Sequence, residues 1–334
     1  MTDAQREQRR ALRRRQARIQ RLLLAGALLI LVLCIVLIVS RCGKKETGAA
    51  DPAAVTDPEV PPADTLPETD SLPDGWERRD AADAELSRGT LMLVNRDYGY
   101  DAGAQETVSV YERKTDNYLI RSSEISLRED AMDALNRWID AFADRTGVTN
   151  VNVVAGWRSY DEQATLYRNA VEQEGQAYAD AYLALPGHSE HHTGLAVDLD
   201  TYDMASGASG GFDGGGDYAW AVEHAWEYGF IQRYPPQKSA ITGINYESWH
   251  FRYVGLPHAY VMQTENLCLE EYIEYLRGFP FSGEHLRVTC LGRDYELYFC
   301  PKDELIVPAG RSFTVSGNNV DGYIVTAEQS GTGR

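Results

Sequence analysis

Residues Leu22 to Val39 form an uninterrupted apolar run of 18 residues, which as a helix rising about 1.5 Å per residue reaches roughly 27 Å. That length is enough to cross a bilayer, so residues 22–40 are expected to form one transmembrane helix. A cleaved signal or a lipid-modified cysteine fits less well, because no small-residue cleavage site follows the run and Cys42 is preceded by Arg41. Eight arginines lie from Arg6 to Arg21, and clusters of this kind stay on the cytoplasmic side. The expected topology is a single-pass cell-membrane protein with a basic cytoplasmic segment at 1–21 and everything after Arg41 outside the cell.

The first 45 residues carry +9 of formal charge, so with −18 on the whole chain the remainder stands at −27. Such a field repels polyanions. The arginine block is therefore read as a topology signal, and no nucleic-acid partner is expected. Residues 41–75 read as a linker: Glu46 to Gly75 holds six prolines and eight acidic residues but no lysine, arginine or aromatic residue. It cannot bury enough apolar surface to fold, and its prolines and like charges favour an extended tether.

Globular composition begins at Trp76 and divides into a main domain over 76–278 and a small β-rich C-terminal appendage over 279–334. Leu91 to Val94 reads as a short buried strand. Ala131, Leu135, Trp138 and Phe142 recur at helical spacing, with Gly147 placed to end that helix. Val151 to Ala155 reads as a strand running into Arg158. Ser159 and Glu162 then have capping-box spacing for a second helix reaching Gly175. Leu195 to Asp200 reads as a strand carrying Asp198 and Asp200 on one face. The glycine-rich stretch Ser206 to Asp217 lacks the lysine of a phosphate cradle and is expected to be a loop. A helix near Tyr218 to Tyr228, strands at Phe230 to Tyr234 and Trp249 to Val254, and a helix at Leu269 to Arg277 complete the main domain. Of five cysteines, Cys268, Cys290 and Cys300 fall in the folded part, where one bridge is conceivable and the sequence does not choose the pair.

Two histidine-bearing segments carry the chemistry. The first runs Pro186-Gly187-His188-Ser189-Glu190-His191-His192-Thr193-Gly194 and continues to Asp198; the second is Glu247-Ser248-Trp249-His250. A catalytic zinc typically takes three protein ligands from histidine and carboxylate and keeps one position open. His191, Asp198 and His250 supply such a set, while His188 and His192 compete for the first place and spacing alone does not exclude them. A group must also accept a proton from the attacking water, and Glu247, three residues before a ligand, is the candidate. His224, His258 and His285 lack partners at ligand spacing and read as structural or surface residues. Asp200 shares a strand face with Asp198 and is a candidate for orienting a ligand.

Ser-x-His-x6-Asp followed much later by Glu-x-x-His resembles the zinc D-alanyl-D-alanine carboxypeptidases and dipeptidases, the family that includes the vancomycin-resistance enzymes. The resemblance runs from about Leu91 to Arg277. It includes Arg158-Ser159-Tyr160 with Gln163, Tyr228-Gly229-Phe230-Ile231-Gln232-Arg233-Tyr234-Pro235, and His250-Phe251-Arg252-Tyr253-Val254-Gly255. Trp157 and His192 depart from the family's commoner tyrosine and glutamine, changes that touch substrate preference more than metal binding.

The resemblance implies an α+β fold in which a small antiparallel sheet with flanking helices holds Zn2+ on His191, Asp198 and His250, with Glu247 as general base. It further implies that Arg158 stabilises the scissile carbonyl oxygen as it turns negative, and that Gln163 and Ser189 help hold the terminal residue. The expected partner is the peptidoglycan stem peptide, and the expected reaction is removal of its terminal D-alanine by a membrane-anchored enzyme. The same motifs suit an L,D-carboxypeptidase or a D,D-dipeptidase. A non-catalytic wall-binding receptor could keep the fold and the metal, although the presence of Glu247 beside three ligand candidates argues against it.

Overall fold

A computed structural model describes residues 72–80, 86–100 and 105–328, all within one compact unit, Glu68–Arg334. Its elements follow in the order β1 (Trp76–Arg79), β2 (Val108–Ser109), α1 (Val110–Arg113), β3 (Leu119–Ile120), β4 (Ser126–Leu127), α2 (Glu129–Thr146), β5 (Val151–Ala155), α3 (Tyr160–Glu174), α4 (Gln176–Tyr182), β6 (Ala196–Asp203) and β7 (Ala208–Gly211). Then come α5 (Ala219–His224), β8 (Phe230–Tyr234), α6 (Ser239–Thr242), β9 (Glu247–Tyr253), α7 (His258–Thr264), α8 (Leu269–Arg277), β10 (Leu286–Cys290), β11 (Arg293–Pro301), β12 (Leu305–Pro308), β13 (Phe313–Gly317) and β14 (Gly322–Glu328).

The expectation of a membrane-spanning helix with a cytoplasmic N-terminus is corrected here. Among the described residues no helix is long and apolar enough to cross a membrane, and the basic segment 1–21, the apolar run 22–40 and the linker before residue 72 lie outside them.

The principal sheet has the order β3-β5-β6-β9-β8, with β7 also paired to β6. Its pairings are antiparallel apart from β3 beside β5. Helix α2 lies against it through the face that the spacing foretells, burying Ala131, Leu135, Trp138 and Phe142 completely. Trp138 is the centre of that contact. Its ring lies 5.2 Å from Phe230 and 4.8 Å from Phe251, and its indole N–H donates to the Ala221 carbonyl at 2.9 Å, so the one polar atom of a large buried ring has a partner. Gly147 ends α2 in the left-handed conformation, φ 74°, with its N–H closing on Ala143. Helix α3 starts on the expected capping box: Ser159 accepts from the Glu162 N–H and Glu162 accepts from the Ser159 N–H.

Three local expectations change. Leu91 to Val94 is buried but is not a strand, because its backbone is met largely by side chains. The Leu91 N–H donates to Ser316 Oγ, Arg252 donates to the Met92 carbonyl and Asn319 to the Leu93 carbonyl. The glycine-rich stretch does form a strand, β7, whose residues are all exposed and pair with Asp200 to Asp203. Backbone hydrogen bonds alone hold it, so no side-chain pattern announces it. The helix expected near Tyr218 to Tyr228 is divided into a 3-10 turn at Gly216–Tyr218, α5, and a second 3-10 turn at Ala225–Tyr228.

Strands β10-β11-β14-β13 form a separate four-stranded antiparallel sheet. Phe299 and Ile324 from it join Leu91, Leu93, Val254 and the buried faces of α7 and α8 in one apolar cluster. Cys268, Cys290 and Cys300 are buried free thiols, so no bridge forms among them.

His258 links these layers, with Nδ1 2.9 Å from the Tyr272 hydroxyl and Nε2 3.2 Å from Thr326 Oγ1. Burial pulls its imidazole down to about 3. The unfolded chain takes up this proton near the ordinary 6.5, so between those values the unfolded state binds more protons and stability rises with pH, by up to about 1.4 kcal/mol per pH unit. The contribution is fully present above pH 6.5 and is lost as pH falls towards 3. Urea unfolding at pH 7 and pH 4.5 is expected to show a smaller acid loss in His258→Gln than in the wild type; equal losses would clear the ring of this role.

Candidate active site

Asp198 occupies the one position of β6 that is paired with both β5 and β9, through Ala155 and His250. The register places His250 Nδ1 2.8 Å from Asp198 Oδ1. His191 arrives from a 3-10 turn, Glu190–Thr193, in which the Ser189 hydroxyl accepts from the His191 N–H and which ends at Gly194 with φ 70°. A Cβ at Gly194 would lie 3.2 Å from the Arg128 backbone nitrogen, so glycine serves both the turn and the close approach. His191 Nδ1 lies 2.6 Å from the Gly156 carbonyl. A carbonyl only accepts, so Nδ1 carries the hydrogen and Nε2 presents its lone pair, 3.2 Å from Asp198 Oδ2.

The donor atoms of His191, Asp198 and His250 all lie within 4.8 Å of one another. The competing histidines point elsewhere. His188 Nδ1 meets the Asn95 carbonyl at 2.8 Å. His192 uses both nitrogens, one on the Arg158 carbonyl at 2.7 Å and the other accepting from the Gly187 N–H at 3.1 Å. Asp200 does not orient a ligand: its carboxylate pairs with Arg121 at 3.1 Å and with the Thr201 N–H.

Glu247 opens β9 and pairs with Tyr234 across an irregularity in β8. It is buried and lines the same cavity, of about 480 Å³, as the three donors. Burial pushes its carboxyl up to about 8 against the pull of His250, with Asp198 adding to the rise and Arg158 opposing it. Burial alone would also raise Asp198, but His191 and His250 hold it well below the usual carboxylate range. A divalent cation among these groups would favour both carboxylates in their ionised form.

Arg158 stands between the end of β5 and the cap of α3. Its Nη1 donates to Gln163 Oε1 at 2.7 Å and its Nη2 lies 3.8 Å from Asp198 Oδ2. Gln163 in turn donates to the Ala184 carbonyl at 2.7 Å, which fixes the amide's orientation and hence the guanidinium's. Ser189 is buried at the cavity wall. Arg158, Gln163, Ser189, His191, Asp198, Glu247 and His250 all line this one cavity, and Leu166, Tyr178 and Trp249 stand exposed at its margin.

One participant has no counterpart in the motif reading. Glu190, between the motif serine and the first donor, is fully buried and accepts from Arg233 Nε at 2.8 Å and Arg252 Nη1 at 2.7 Å. Its other oxygen lies 3.5 Å from His250 Nε2. The available signal was the placement of Arg233 and Arg252 inside two strands expected from the sequence, since a guanidinium buried there demands a buried carboxylate.

Two imidazoles and a carboxylate converging beside a second carboxylate and a fixed guanidinium define a metallopeptidase-type centre. Residues 124–256 match the model of the VanY family, D-alanyl-D-alanine carboxypeptidase. A D-alanyl-D-alanine carboxypeptidase of Enterococcus faecium is 33% identical over 272 residues, covering 78% of this chain and 82% of the relative. The bifunctional D-Ala-D-Ala dipeptidase and carboxypeptidase VanXYC of Enterococcus gallinarum is 33% identical over 190 residues, 56% of this chain and 95% of that one. Among solved structures, the vancomycin-resistance D,D-dipeptidase VanXYg, in complex with a D-Ala-D-Ala phosphinate analogue, superposes with a TM-score of 0.67 at 30% identity, covering 76% of this chain and 99% of the other. The chain belongs to the VanY family of D-alanyl-D-alanine carboxypeptidases, which are zinc peptidases.

Proposed function

We propose that the protein hydrolyses the terminal D-alanyl bond of peptidoglycan stem peptides, with zinc held by His191, Asp198 and His250. The observation that carries this reading is the convergence of those three donors within 4.8 Å in a cavity that also contains Glu247 and Arg158. Two imidazole nitrogens and a carboxylate oxygen suit zinc, and three protein ligands leave a position for water or substrate. When bound there, zinc supplies Lewis acidity to the scissile carbonyl and makes water acidic enough to attack at neutral pH.

The chain's own groups do the rest. Glu247 accepts the proton of the attacking water as its oxygen adds to the carbonyl carbon. The same carboxyl returns that proton to the leaving amine nitrogen as the C–N bond breaks, which regenerates the carboxylate. Arg158 donates to the carbonyl oxygen while negative charge builds on it, a task suited to a guanidinium already oriented by Gln163. Ser189 and Gln163 hold the terminal residue, whose free carboxylate distinguishes it from internal residues of the peptide.

The cavity of about 480 Å³ is within the range of small-molecule sites, about 300–1,000 Å³. Its exposed margin of Leu166, Tyr178 and Trp249 gives the preceding residues of a stem apolar surface to lie on. This favours trimming of a longer peptide over cleavage of a free dipeptide. Incubation of the full chain with zinc and defined tri-, tetra- and pentapeptide stems is expected to shorten the pentapeptide by one residue, read by mass spectrometry. Shortening of the tetrapeptide alone would make the enzyme an L,D-carboxypeptidase. Cleavage of free D-Ala-D-Ala in preference to the pentapeptide would make it a dipeptidase. Tight binding with no cleavage would replace the enzyme by a receptor.

A further inference from the structure

We infer that Glu190 is a positioning residue that fixes which nitrogen of His250 faces the metal, and that a buried charge network running to α8 holds Glu190 for this task. The inference rests on the proposed reading of His250 as a ligand and adds to it a determinant outside the donor set.

Glu190 is 1% exposed, and both arginines that touch it are completely buried. Its Oε1 accepts from Arg233 Nε and Arg252 Nη1, so the carboxylate cannot turn without losing two charge-assisted bonds. That leaves Oε2 directed at His250 Nε2, 3.5 Å away. An ionised carboxylate only accepts, so the nitrogen facing it carries the hydrogen. Nδ1 faces Asp198 Oδ1 at 2.8 Å, a second hydrogen-bonding contact; a cation shared by these two atoms would take the place of the Nδ1 hydrogen, and Glu190 would keep the remaining one on Nε2.

The arginines are fixed in their turn. Arg233 makes a bidentate pair with Glu270 of α8, at 2.8 and 2.7 Å. Arg252 Nη2 donates to the Thr90 and Met92 carbonyls at 3.0 and 2.9 Å. Two carboxylates and two guanidiniums balance in charge and tie β8, β9, α8 and the turn bearing His191 together. A buried ionic group of this kind is seldom more stabilising than well-packed apolar side chains. Its placement against one imidazole nitrogen of the donor cluster supplies a reason for it that stability does not. A carboxylate behind a ligating imidazole holds the ring's tautomer and orientation, and its loss typically lowers metal affinity by about 10–100-fold.

Zinc affinity of the full chain, measured by competition with a chromophoric chelator, is expected to fall about 10–100-fold in Glu190→Gln. Arg233 keeps Glu270 in that variant and Arg252 keeps its two carbonyls. Glu270→Gln serves as the comparison: it loosens the same buried network without touching His250, and is expected to lower the melting temperature while changing zinc affinity less than threefold. Equal zinc affinity in Glu190→Gln and wild type, within twofold, would overturn the inference, as would equal losses in the two variants. Should Glu190→Gln fail to fold, 15N spectra of histidine-labelled wild type decide the matter. Zinc-loaded His250 is expected to carry its hydrogen on Nε2 and to coordinate through Nδ1, and coordination through Nε2 would sink the proposal. A wild-type chain that takes up no stoichiometric zinc would instead remove the metal reading itself, and this inference with it.

Discussion

Glu247→Gln is expected to lower turnover of a stem pentapeptide by roughly 10²-fold or more, the usual scale for loss of a general base, while zinc content and melting temperature stay close to wild type. The side chain keeps its size, and the proposed donor set does not include it. Only the capacity to take up a proton goes. Arg158→Ala is expected to retain zinc as well and to slow the reaction by about 3–4 kcal/mol in the transition state, because the developing oxyanion loses its fixed donor. Initial rates at saturating substrate, paired with metal analysis of the same preparations, test both variants. A Glu247→Gln protein with bound zinc and a near-native rate would show that another group carries the proton.

For the metal, the expected result is all or nothing. His191→Ala and His250→Ala should each abolish stoichiometric zinc and reduce hydrolysis to background, whereas His188→Ala and His192→Ala should bind one zinc per chain as the wild type does. The contrast follows from where the rings point, since His188 is turned to the Asn95 carbonyl and His192 is engaged on both nitrogens. Inductively coupled plasma mass spectrometry on five dialysed proteins, wild type included, gives the answer. Full zinc in both His191→Ala and His250→Ala would dispose of the proposed centre.

The parts of the fold that were legible in the sequence are those written in local rules. Trp138 and its helical neighbours announce the buried face of α2, Gly147 its end, and Ser159 with Glu162 the start of α3. Leu91 to Val94 misled because strand identity depends on a partner, and here the partners are side chains of Ser316, Arg252 and Asn319, between 160 and more than 220 residues away in sequence. β7 was invisible for the opposite reason, since glycines carry no alternation. At the candidate site, the spacing from Ser189 to Asp198 and from Glu247 to His250 singled out the residues that the geometry groups. Spacing alone did not exclude His188 and His192 beside the preferred His191, because that choice depends on carbonyls of Asn95, Gly156 and Arg158. Glu190 escaped for a related reason. A glutamate between a serine and a histidine looks like solvated surface until Arg233 and Arg252 are seen to close over it.

The register that sets Asp198 opposite His250 has a consequence for how the protein would be supplied with metal. Both residues sit on interior strands of the principal sheet, and His191 is held by a capped turn and by the Gly156 carbonyl. None of these restraints depends on a cation. The ordering of the ligands is therefore complete when the chain folds, unlike small zinc modules in which metal binding and folding are one event. On the proposed zinc reading, loading and unloading are separable from synthesis and folding, so a chelator is expected to remove activity while the melting transition persists, and added zinc to restore it. Zinc availability would then act as a valve on finished molecules.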